Sequence, residues 1–255
     1  MTIDTLLSPA ELPALGHRDL RGTACVVFDI LRATSTFVTA LHHGAKEIIP
    51  VSEIAEALEI KKAESGKRKA ETILLAGERD GVRIRAAQSG VIDFDFGNSP
   101  REFTPEKVRG KTIVSTTTNG TRALQACAGA KTVLAASFLN LAATAEFLRG
   151  EKELLLVCAG TGADMAMEDV LAAGALAELL MPHTDDRSGL WRAADTARRT
   201  FALLKTDLTT AIGSSENGRR LLAIPELRDD VAFCAQRDIF NLVAVMHADG
   251  ALRRR

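Results

Sequence analysis

The segment VVFDILRATST (residues 26–36) decides the fold, because an apolar run in it passes directly into a group of small polar residues. Val26, Val27 and Phe28 do not alternate with polar side chains, which is typical of a strand covered by helices on both faces. The hydroxyl groups that follow can cap the N-terminus of a helix. The segment therefore predicts a unit of strand, loop and helix in an α/β fold.

Runs of the same kind recur along the chain and alternate with helical patterns. Apolar runs rich in Val, Ile and Leu predict strands at residues 24–30, 47–51, 72–76, 112–115, 132–136, 154–158 and 242–246. Capping and stop residues predict helices from Ser52 to Gly66, over 140–150, and over 166–180 before Pro182. The alternation of strand and helix predicts a three-layer α/β/α fold with a largely parallel or mixed sheet.

Residues 1–255 are predicted to form a single α/β domain. A chain of 255 residues can bury a core in one large domain or in two modest lobes. No low-complexity linker interrupts the sequence, and the longest predicted loop spans 84–93. The alternative, a division into two lobes, falls near 182–190, where Pro182 and Gly189 flank polar residues. The apolar helix predicted at 166–180 fits either a core position or a homodimer interface.

Composition and charge argue against several classes of protein. Hydrophobic residues make up 46% of the chain and its formal net charge is −1, so no global basic field would gather nucleic acid. No apolar run reaches the roughly 18 residues of a membrane span, and residues 1–20 lack the apolar core of a signal peptide. The four cysteines are scattered and form no CxxC pair, which favours reduced core thiols. We therefore expect a cytoplasmic protein with no nucleic-acid or membrane partner.

Three predicted strands run straight into loops of small polar residues that precede helices. The loops cover 29–36, 115–121 and 159–164. In open α/β sheets, ligands bind at the carboxyl ends of the strands, where helix N-termini present backbone N–H groups to anions. Helix capping explains one such loop equally well, but three in one chain favour a phosphate site. We expect catalytic roles for Asp29, Arg32, Thr117 and Asn119, and substrate contacts from Thr34, Ser35, Thr116, Thr118, Gly120 and Thr121.

Three carboxylates accompany these phosphate donors. Asp29 ends an apolar strand, and a buried carboxylate is costly unless it is paired or bound to a metal. Glu168 and Asp169 stand side by side in an apolar helix. Magnesium prefers oxygen ligands and bridges to phosphate, so these three residues predict a Mg²⁺ site. The alternatives are an ion pair of Asp29 with Arg32 and an exposed helical turn at Glu168 and Asp169.

Two further turns carry polar residues that fit a second anion contact. In AGERDG (76–81), Arg79 can bind an acid group of a substrate or pair with Glu78. In FGNSP (96–100), Asn98 and Ser99 offer neutral donors, although turn chemistry alone explains Gly and Asn there. Motifs of other phosphate-handling enzymes are absent, since the chain has no GxxxxGK[ST], no GxGxxG after the first strand, and no arginine six residues after Cys158.

Taken together, these blocks resemble the 2-phosphosulfolactate phosphatase family. The blocks are 28–36, 76–79, 97–100, 115–121 and 168–169, followed by 218–222, Asp230 and 233–234, in the same order as in that family. The resemblance covers nearly the whole chain, from 24 to 245, and its segment TTTNGTRAL (116–124) is specific. Two features depart from the family pattern, because a stretch at 85–91 is added and a proline near Val245 is missing.

The resemblance implies hydrolysis of 2-phospho-3-sulfolactate to sulfolactate and phosphate with Mg²⁺, a step toward coenzyme M. It also implies a family-specific α/β fold that is distinct from the haloacid-dehalogenase fold, in agreement with the absence of a DxD motif at Asp29. In this interpretation Arg79, Asn98 and Ser99 face the carboxylate or sulfonate of the small phospho-acid. The roles assigned above to the loops and to the carboxylates are unchanged.

Two questions stay open at the level of sequence. A metal-bound water is the simplest attacking group, and the alternative is a covalent phosphoenzyme on Asp29 or on a loop hydroxyl. The alternatives to this enzyme are a non-catalytic anion-binding protein, a phosphotransferase, and a phosphatase of a different small phosphorylated acid. A phosphotransferase needs a nucleotide site, and the sequence has no glycine-rich nucleotide motif.

Overall fold

The computed structural model describes residues 1–65, 72–180 and 192–255, and the strands in these ranges form one mixed sheet. The strands are β1 (Thr2–Leu6), β2 (Thr23–Phe28), β3 (Glu47–Val51), β4 (Ile73–Arg79), β5 (Val82–Arg83), β6 (Thr112–Thr116), β7 (Thr132–Ala136), β8 (Glu153–Cys158), β9 (Ala244–Met246) and β10 (Leu252–Arg254). Their order across the sheet is β1-β8-β2-β7-β9-β10-β3-β6-β4-β5, so strands distant in sequence are neighbours.

Helices connect most of these strands. They are α1 (Ala33–His42), α2 (Ile54–Ser65), α3 (Ala86–Ser89), α4 (Pro105–Val108), α5 (Gly120–Ala126), α6 (Leu141–Leu148), α7 (Met167–Leu180), α8 (Arg192–Leu204), α9 (Leu208–Gly213), α10 (Glu216–Leu222) and α11 (Arg228–Cys234). A 3-10 helix at Pro9–His17 follows β1, and Ser8 caps it by accepting a hydrogen bond from the Ala10 N–H. The helices α9, α10 and α11 come one after another and form a helical C-terminal segment before the last two strands.

Two parallel blocks make up most of the sheet, and a C-terminal hairpin joins them. β1, β8, β2 and β7 form the first block, and β3, β6 and β4 form the second. β9 pairs antiparallel with β7, β10 pairs antiparallel with β3, and β9 and β10 pair antiparallel with each other. Because three antiparallel pairings lie between them, the two blocks run in opposite directions.

Helices cover both faces of the first block, and strand β2 shows this most directly. Val26 and Phe28 belong to a core that also contains residues of α6, α7 and α8. Cys25 and Val27 belong to a second core, which contains residues of α1 and α5. Every residue of β2 is buried, as expected for a strand with helices on both sides. The predicted three-layer α/β fold with a mixed sheet is confirmed.

The second core joins the two blocks of the sheet. Ile48 of β3 and Ile113 of β6 lie in the same buried cluster as Phe37 of α1 and Leu124 of α5. The helix α5 also contacts both β2 and β3. Helices α1 and α5 therefore lie against both blocks at once. This shared core brings the loop after β2 and the loop after β6 together, although their strands run in opposite directions.

The predicted strands are largely present, with shifted ends. β2 ends at Phe28, so Asp29 begins the loop instead of ending the strand. β4 continues to Arg79, three residues past the predicted end at 76. The short strands β1, β5 and β10 were not predicted, and the predicted loop at 84–93 contains the helix α3. The predicted helix end at Gly66 and the lobe boundary at 182–190 lie outside the described residues.

The apolar helix α7 is a core helix of this chain. Its residues 168–177 are buried, and it packs along α8 and against β8. All four cysteines are buried and free, as predicted, and burial raises the pKa of the Cys158 thiol well above its usual value. Such a thiol is a poor nucleophile. Within the described ranges, no helix combines the length and the apolar character needed to cross a membrane.

Candidate active site

The loop after β2 places Asp29 against the start of α5. The Asp29 carboxylate accepts a hydrogen bond from the Ala33 N–H at 3.0 Å and another from the Gly120 N–H. A Cβ atom on Gly120 would lie 2.7 Å from Asp29 Oδ2 and 2.6 Å from Ala33 Cβ, so only glycine permits this approach. The sequence block around Asn119 and Gly120 is therefore a packing requirement of the loop after β2.

Burial governs the protonation of Asp29. The residue is 8% exposed, and burial raises the pKa of its carboxyl to about 7. The nearby charges of Glu78 and Glu168 act in the same direction, while the two N–H donors oppose them. Asp29 forms no ion pair within the part of the chain that the structure describes. The alternative pairing of Asp29 with Arg32 is therefore not what the structure contains.

Arg32 pairs instead with Asp230 on α11. Its Nη1 lies 2.7 Å from Asp230 Oδ2, and the two side chains are 2% and 0% exposed. Arg32 Nη2 donates to the carbonyl oxygen of Gly81 at 2.6 Å, and Ser99 Oγ donates to Asp230 Oδ1 at 2.7 Å. These bonds hold the guanidinium between the β4–β5 turn and α11. The remaining N–H donors of Arg32 are available to a ligand, because arginine carries five.

The hydroxyl groups predicted in the loop after β2 serve the loop itself. Thr34 Oγ1 donates to the Asp29 carbonyl oxygen at 3.0 Å and accepts from the Asp29 N–H at 3.0 Å. Ser35 Oγ donates to the Ile30 carbonyl oxygen at 2.9 Å. Both residues are fully buried. Their role in the structure is to hold the loop that carries Asp29 and Arg32.

Most hydroxyl groups of the loop after β6 also form hydrogen bonds within the protein. Thr116 Oγ1 donates to the carbonyl oxygen of Ser52 at 3.1 Å, and Thr121 Oγ1 donates to the Thr117 carbonyl oxygen at 2.9 Å. Thr117 Oγ1 accepts from the Thr121 N–H at 3.2 Å. These three threonines are buried and point into the fold. Thr118 and Asn119 are the side chains of this loop that reach the cavity described below.

Glu78 links the β4–β5 turn to the loop after β6. Its Oε1 accepts from the Thr118 N–H at 3.0 Å and from Thr118 Oγ1 at 3.1 Å, and its Oε2 accepts from the Gly81 N–H at 2.7 Å. Glu78 is 8% exposed. Arg79 turns away from it and donates to the Thr116 hydroxyl at 3.2 Å and to the Glu78 carbonyl oxygen. Glu78, which was considered only as a partner of Arg79, is thus a member of the site.

Glu168 and Asp169 are both buried, so the alternative of an exposed turn is wrong. Asp169 Oδ1 accepts from the Ile30 N–H at 2.8 Å and its Oδ2 accepts from the Gly160 N–H at 2.9 Å. Asp169 therefore ties the loops after β2 and β8 to the start of α7. Burial raises the pKa of its carboxyl well above the ordinary value, and the charges of Asp29 and Glu168 add to this effect.

Glu168 faces a different set of groups. Its Oε1 accepts from Asn217 Nδ2 at 2.8 Å, and Asn217 also donates to Thr161 Oγ1 at 2.6 Å. Arg220 donates to the Oδ1 atom of Asn217. In contrast, Glu168 Oε2 is buried and has no hydrogen-bond partner among the described residues. A buried carboxylate oxygen without a partner is costly, so Glu168 Oε2 is open to a partner from outside the polypeptide, such as a water or a metal ion.

A cavity of about 270 Å³ lies among the loops after β2, β6 and β8, the β4–β5 turn and α10. It is lined by Asp29, Leu31, Arg32, Glu78, Asp80, Gly81, Asn98, Thr118, Asn119, Thr161, Gly162, Asn217, Arg220 and Leu221. The lining contains five of the predicted site residues, namely Asp29, Arg32, Asn98, Thr118 and Asn119. The other predicted site residues do not line it, namely Thr34, Ser35, Arg79, Ser99, Thr116, Thr117, Gly120, Thr121, Glu168 and Asp169.

The sequence prediction missed several lining residues on the β4–β5 turn and on α10. Asp80 and Gly81 form the turn of this hairpin, and both have positive φ angles, 55° and 80°. Asn217 and Arg220 are three residues apart on α10, so they share one face of that helix. The run GRRLL at 218–222 was the available signal, but nothing in it distinguishes Arg220 from Arg219.

The donor set fits a magnesium ion. Within the described residues, no three His, Cys, Asp or Glu side chains are already arranged around a common metal position. Mg²⁺ does not require such an arrangement, because it retains several waters and binds one or two carboxylates together with substrate phosphate. The charge of the Glu168 carboxylate contributes to the raised pKa of Asp29, and Glu168 Oε2 has no hydrogen-bond partner among the described residues. These two carboxylates provide oxygen ligands of the required kind.

Comparisons with known proteins find relatives over nearly the whole chain. A family model described as 2-phosphosulpholactate phosphatase matches residues 10–249. A protein of Caldanaerobacter subterraneus subsp. tengcongensis is 40% identical over 233 residues, which is 90% of each chain. A protein of Thermotoga maritima is 40% identical over 221 residues, covering 87% of this chain and 88% of its own. A protein of Clostridium novyi is 32% identical over 97% of each chain. All three are named "Probable 2-phosphosulfolactate phosphatase".

Proposed function

Because the chain belongs to the 2-phosphosulpholactate phosphatase family, we propose that it is a Mg²⁺-dependent phosphatase of 2-phospho-3-sulfolactate or a closely related small phosphorylated acid. The observation that carries this proposal is the buried Glu168 Oε2, which has no hydrogen-bond partner among the described residues. The Glu168 carboxylate is near enough to raise the pKa of Asp29, and Asp29 lines a cavity that two arginines also line. Carboxylates can bind a metal cation, and the arginine side chains beside them can bind an anion. This combination is typical of a site for a phosphate ester and its metal ion.

The cation would be held by Asp29 and Glu168, with Glu78 as the third carboxylate near them. Bound there, Mg²⁺ supplies Lewis acidity and neutralises charge on the phosphoryl group. Asp169 belongs behind this set, because both of its carboxylate oxygens accept hydrogen bonds from backbone N–H groups. Its role is to hold the loops after β2 and β8 in place beside Glu168.

The phosphoryl group is held by donors from separate loops. Arg32 presents its remaining N–H groups while Asp230 and the Gly81 carbonyl fix its orientation. Asn119 adds its side-chain amide from the loop after β6, whereas both donors of Thr118 are bonded to Glu78. Such fixed donors stabilise charge that develops in phosphoryl transfer without having to reorganise during the reaction. Positioning and charge neutralisation therefore account for most of the catalysis.

A water molecule is the attacking group that fits these contacts best. The hydroxyl groups of Thr116 and Thr121 donate to backbone carbonyl oxygens, and the Thr118 hydroxyl donates to Glu78. Thr116 and Thr121 do not line the cavity, whereas the Thr118 hydroxyl lines it and is a second candidate nucleophile, with Glu78 as the group that would accept its proton. Asp29 lines the cavity, and its Oδ atoms can orient a water and accept its proton. A phosphoenzyme on Asp29 is the competing mechanism, and acid quenching during turnover would trap it.

A panel of phosphorylated acids tests the proposal. Purified protein is incubated with 2-phospho-3-sulfolactate, 2-phospholactate and other small phosphate esters, with Mg²⁺ or with excess EDTA, and released phosphate is measured. We expect release from the sulfonated ester with Mg²⁺ and loss of release in EDTA. Strong preference for that ester would also support a place on the route to coenzyme M. Binding without release from any ester would instead identify an anion-binding protein.

A further inference from the structure

The charges that line the cavity are not equally compensated. Arg32 forms a buried ion pair with Asp230, so its positive charge is already matched inside the protein. Arg220 lines the same cavity, and no carboxylate among the described residues lies within ion-pair distance of it. Its recorded partner is the neutral Oδ1 atom of Asn217. Arg220 is therefore the positive charge of this cavity that lacks a negative partner.

The bond to Asn217 also fixes where Arg220 points. Asn217 is 8% exposed, and its amide nitrogen is engaged by Glu168 and by Thr161. The amide oxygen is therefore held in one orientation, and it receives one N–H group of Arg220. Arginine has five such donors in a planar fork, so several remain to bind an acid group with two parallel hydrogen bonds.

We propose that Arg220 binds the acid group of the substrate that is not the phosphate, a carboxylate or a sulfonate, and so determines the preference for phosphorylated acids. This inference rests on the proposed function. The phosphoryl group is assigned to the loops after β2 and β6, whereas Arg220 comes from α10 and enters the cavity from another element. An ester with two anionic groups engages both regions, and an ester without the second acid group engages only the first.

The structure favours Arg220 over the residues that the sequence suggested for this role. The Arg79 guanidinium donates to the Thr116 hydroxyl and to the Glu78 carbonyl oxygen, and it does not line the cavity. Ser99 donates to Asp230. Asn98 does line the cavity, but its amide carries no charge. A fully charged fork without a carboxylate partner is the stronger ligand for a carboxylate or sulfonate.

Three esters that differ only in their acid groups test the proposal. They are 2-phospho-3-sulfolactate, 2-phospholactate, which lacks the sulfonate, and isopropyl phosphate, which lacks the carboxylate as well. Arg220→Gln removes the charge, and Arg220→Lys keeps the charge but loses the fork. Arg219→Gln is the matched control, because Arg219 neighbours Arg220 on α10 and is exposed as Arg220 is, but donates to the Ser214 carbonyl oxygen and does not line the cavity.

We expect Arg220→Gln to lower kcat/KM for the ester that carries the recognised acid group by about 10- to 100-fold more than for the ester that lacks it. The loss should fall mainly on KM, Arg220→Lys should lie between wild type and Arg220→Gln, and Arg219→Gln should resemble wild type. The step between esters at which the difference appears identifies the group as the sulfonate or the carboxylate. Equal losses for all three esters would overturn the proposal, since Arg220 would then contact the phosphate or act through Glu168.

Calorimetric titration with 3-sulfolactate separates this inference from the proposed function. If the wild-type protein releases phosphate from no ester, the proposed function fails, but the binding of the acid is still measurable. Binding by wild type and Arg219→Gln, weakened about tenfold or more in Arg220→Gln, supports the inference. Equal binding by all three proteins, or no binding by the wild type, overturns it.

Discussion

The guanidinium of Arg32 and the carboxylate of Asp230 form a buried ion pair, with 2.7 Å between Nη1 and Oδ2 and side chains that are 2% and 0% exposed. The two residues are 198 positions apart in the chain. The pair therefore joins the loop after β2 to α11 and closes one side of the cavity. Ser99 donates to the same carboxylate, so three segments meet at Asp230.

Asp230→Asn should destabilise the protein and reduce catalysis, because Arg32 is left as a buried charge without compensation. The expected loss in the free energy of unfolding is about 3–5 kcal/mol. Misplacement of Arg32 should lower kcat/KM by about 10- to 100-fold. Urea unfolding and phosphate release measure the two effects. Asp229→Asn is the control, since Asp229 is 66% exposed and pairs with Arg101 at the surface. Unchanged stability and turnover in Asp230→Asn would contradict the role given to the pair.

Asp29→Asn should abolish phosphate release and leave the metal-free protein as stable as wild type or more stable. The pKa of Asp29 is raised to about 7 from an ordinary value of 3.8. Between these values the folded protein binds a proton that the unfolded chain has released, so wild-type stability falls as the pH rises toward 7. The asparagine variant lacks this loss.

The free energy of unfolding of Asp29→Asn should equal that of wild type below about pH 4. Above pH 7 it should exceed the wild-type value by at most about 4 kcal/mol. Thermal melts in EDTA from pH 4 to pH 8, beside phosphate-release assays, give both measurements. A variant that is less stable than wild type at pH 8 and retains proportionate activity would show that Asp29 has only a structural role.

Gly120→Ala should disturb the site through a contact that cannot relax. The added Cβ would lie 2.6 Å from Ala33 Cβ and 2.7 Å from Asp29 Oδ2, and both residues are buried. We expect a loss of about 1–3 kcal/mol in the free energy of unfolding, together with reduced phosphate release. Gly16→Ala is the matched control, because a Cβ there meets no atom within 4 Å. Urea unfolding of both variants tests the expectation, and equal stabilities would refute it.

Glu168→Gln should remove the stabilisation of the protein by Mg²⁺. The unpartnered Oε2 atom is the reason why we propose a cation at Glu168. A ligand present at about 100 times its Kd stabilises the folded state by about 2.7 kcal/mol, which a thermal melt detects as a rise in Tm. We expect this rise in wild type and in the control Glu178→Gln, whose half-buried side chain pairs with Lys205. A full Mg²⁺-dependent rise in Glu168→Gln would place the cation elsewhere.

The parts of the fold that depend on local pattern were predictable. The run 26–28 forms the buried strand β2 and the run 154–158 forms most of β8, because an unbroken apolar run suits a strand between two helical layers. The edge strand β1 and the three-residue strand β10 were missed, since neither has a run of that kind. Their place in the sheet comes from pairing with segments far away in the chain.

The sequence by itself determined that polar loops follow β2, β6 and β8 and that carboxylates accompany them, because these features are contiguous in the chain. Only the tertiary structure decided which side chains face the cavity. Thr34 and Thr117 turn into their own loops, whereas Glu78 and Arg220 arrive from other elements. The physical reason is that a buried polar atom takes the partner that packing brings to it, and that partner often lies more than a hundred residues away, as Asp230 does from Arg32.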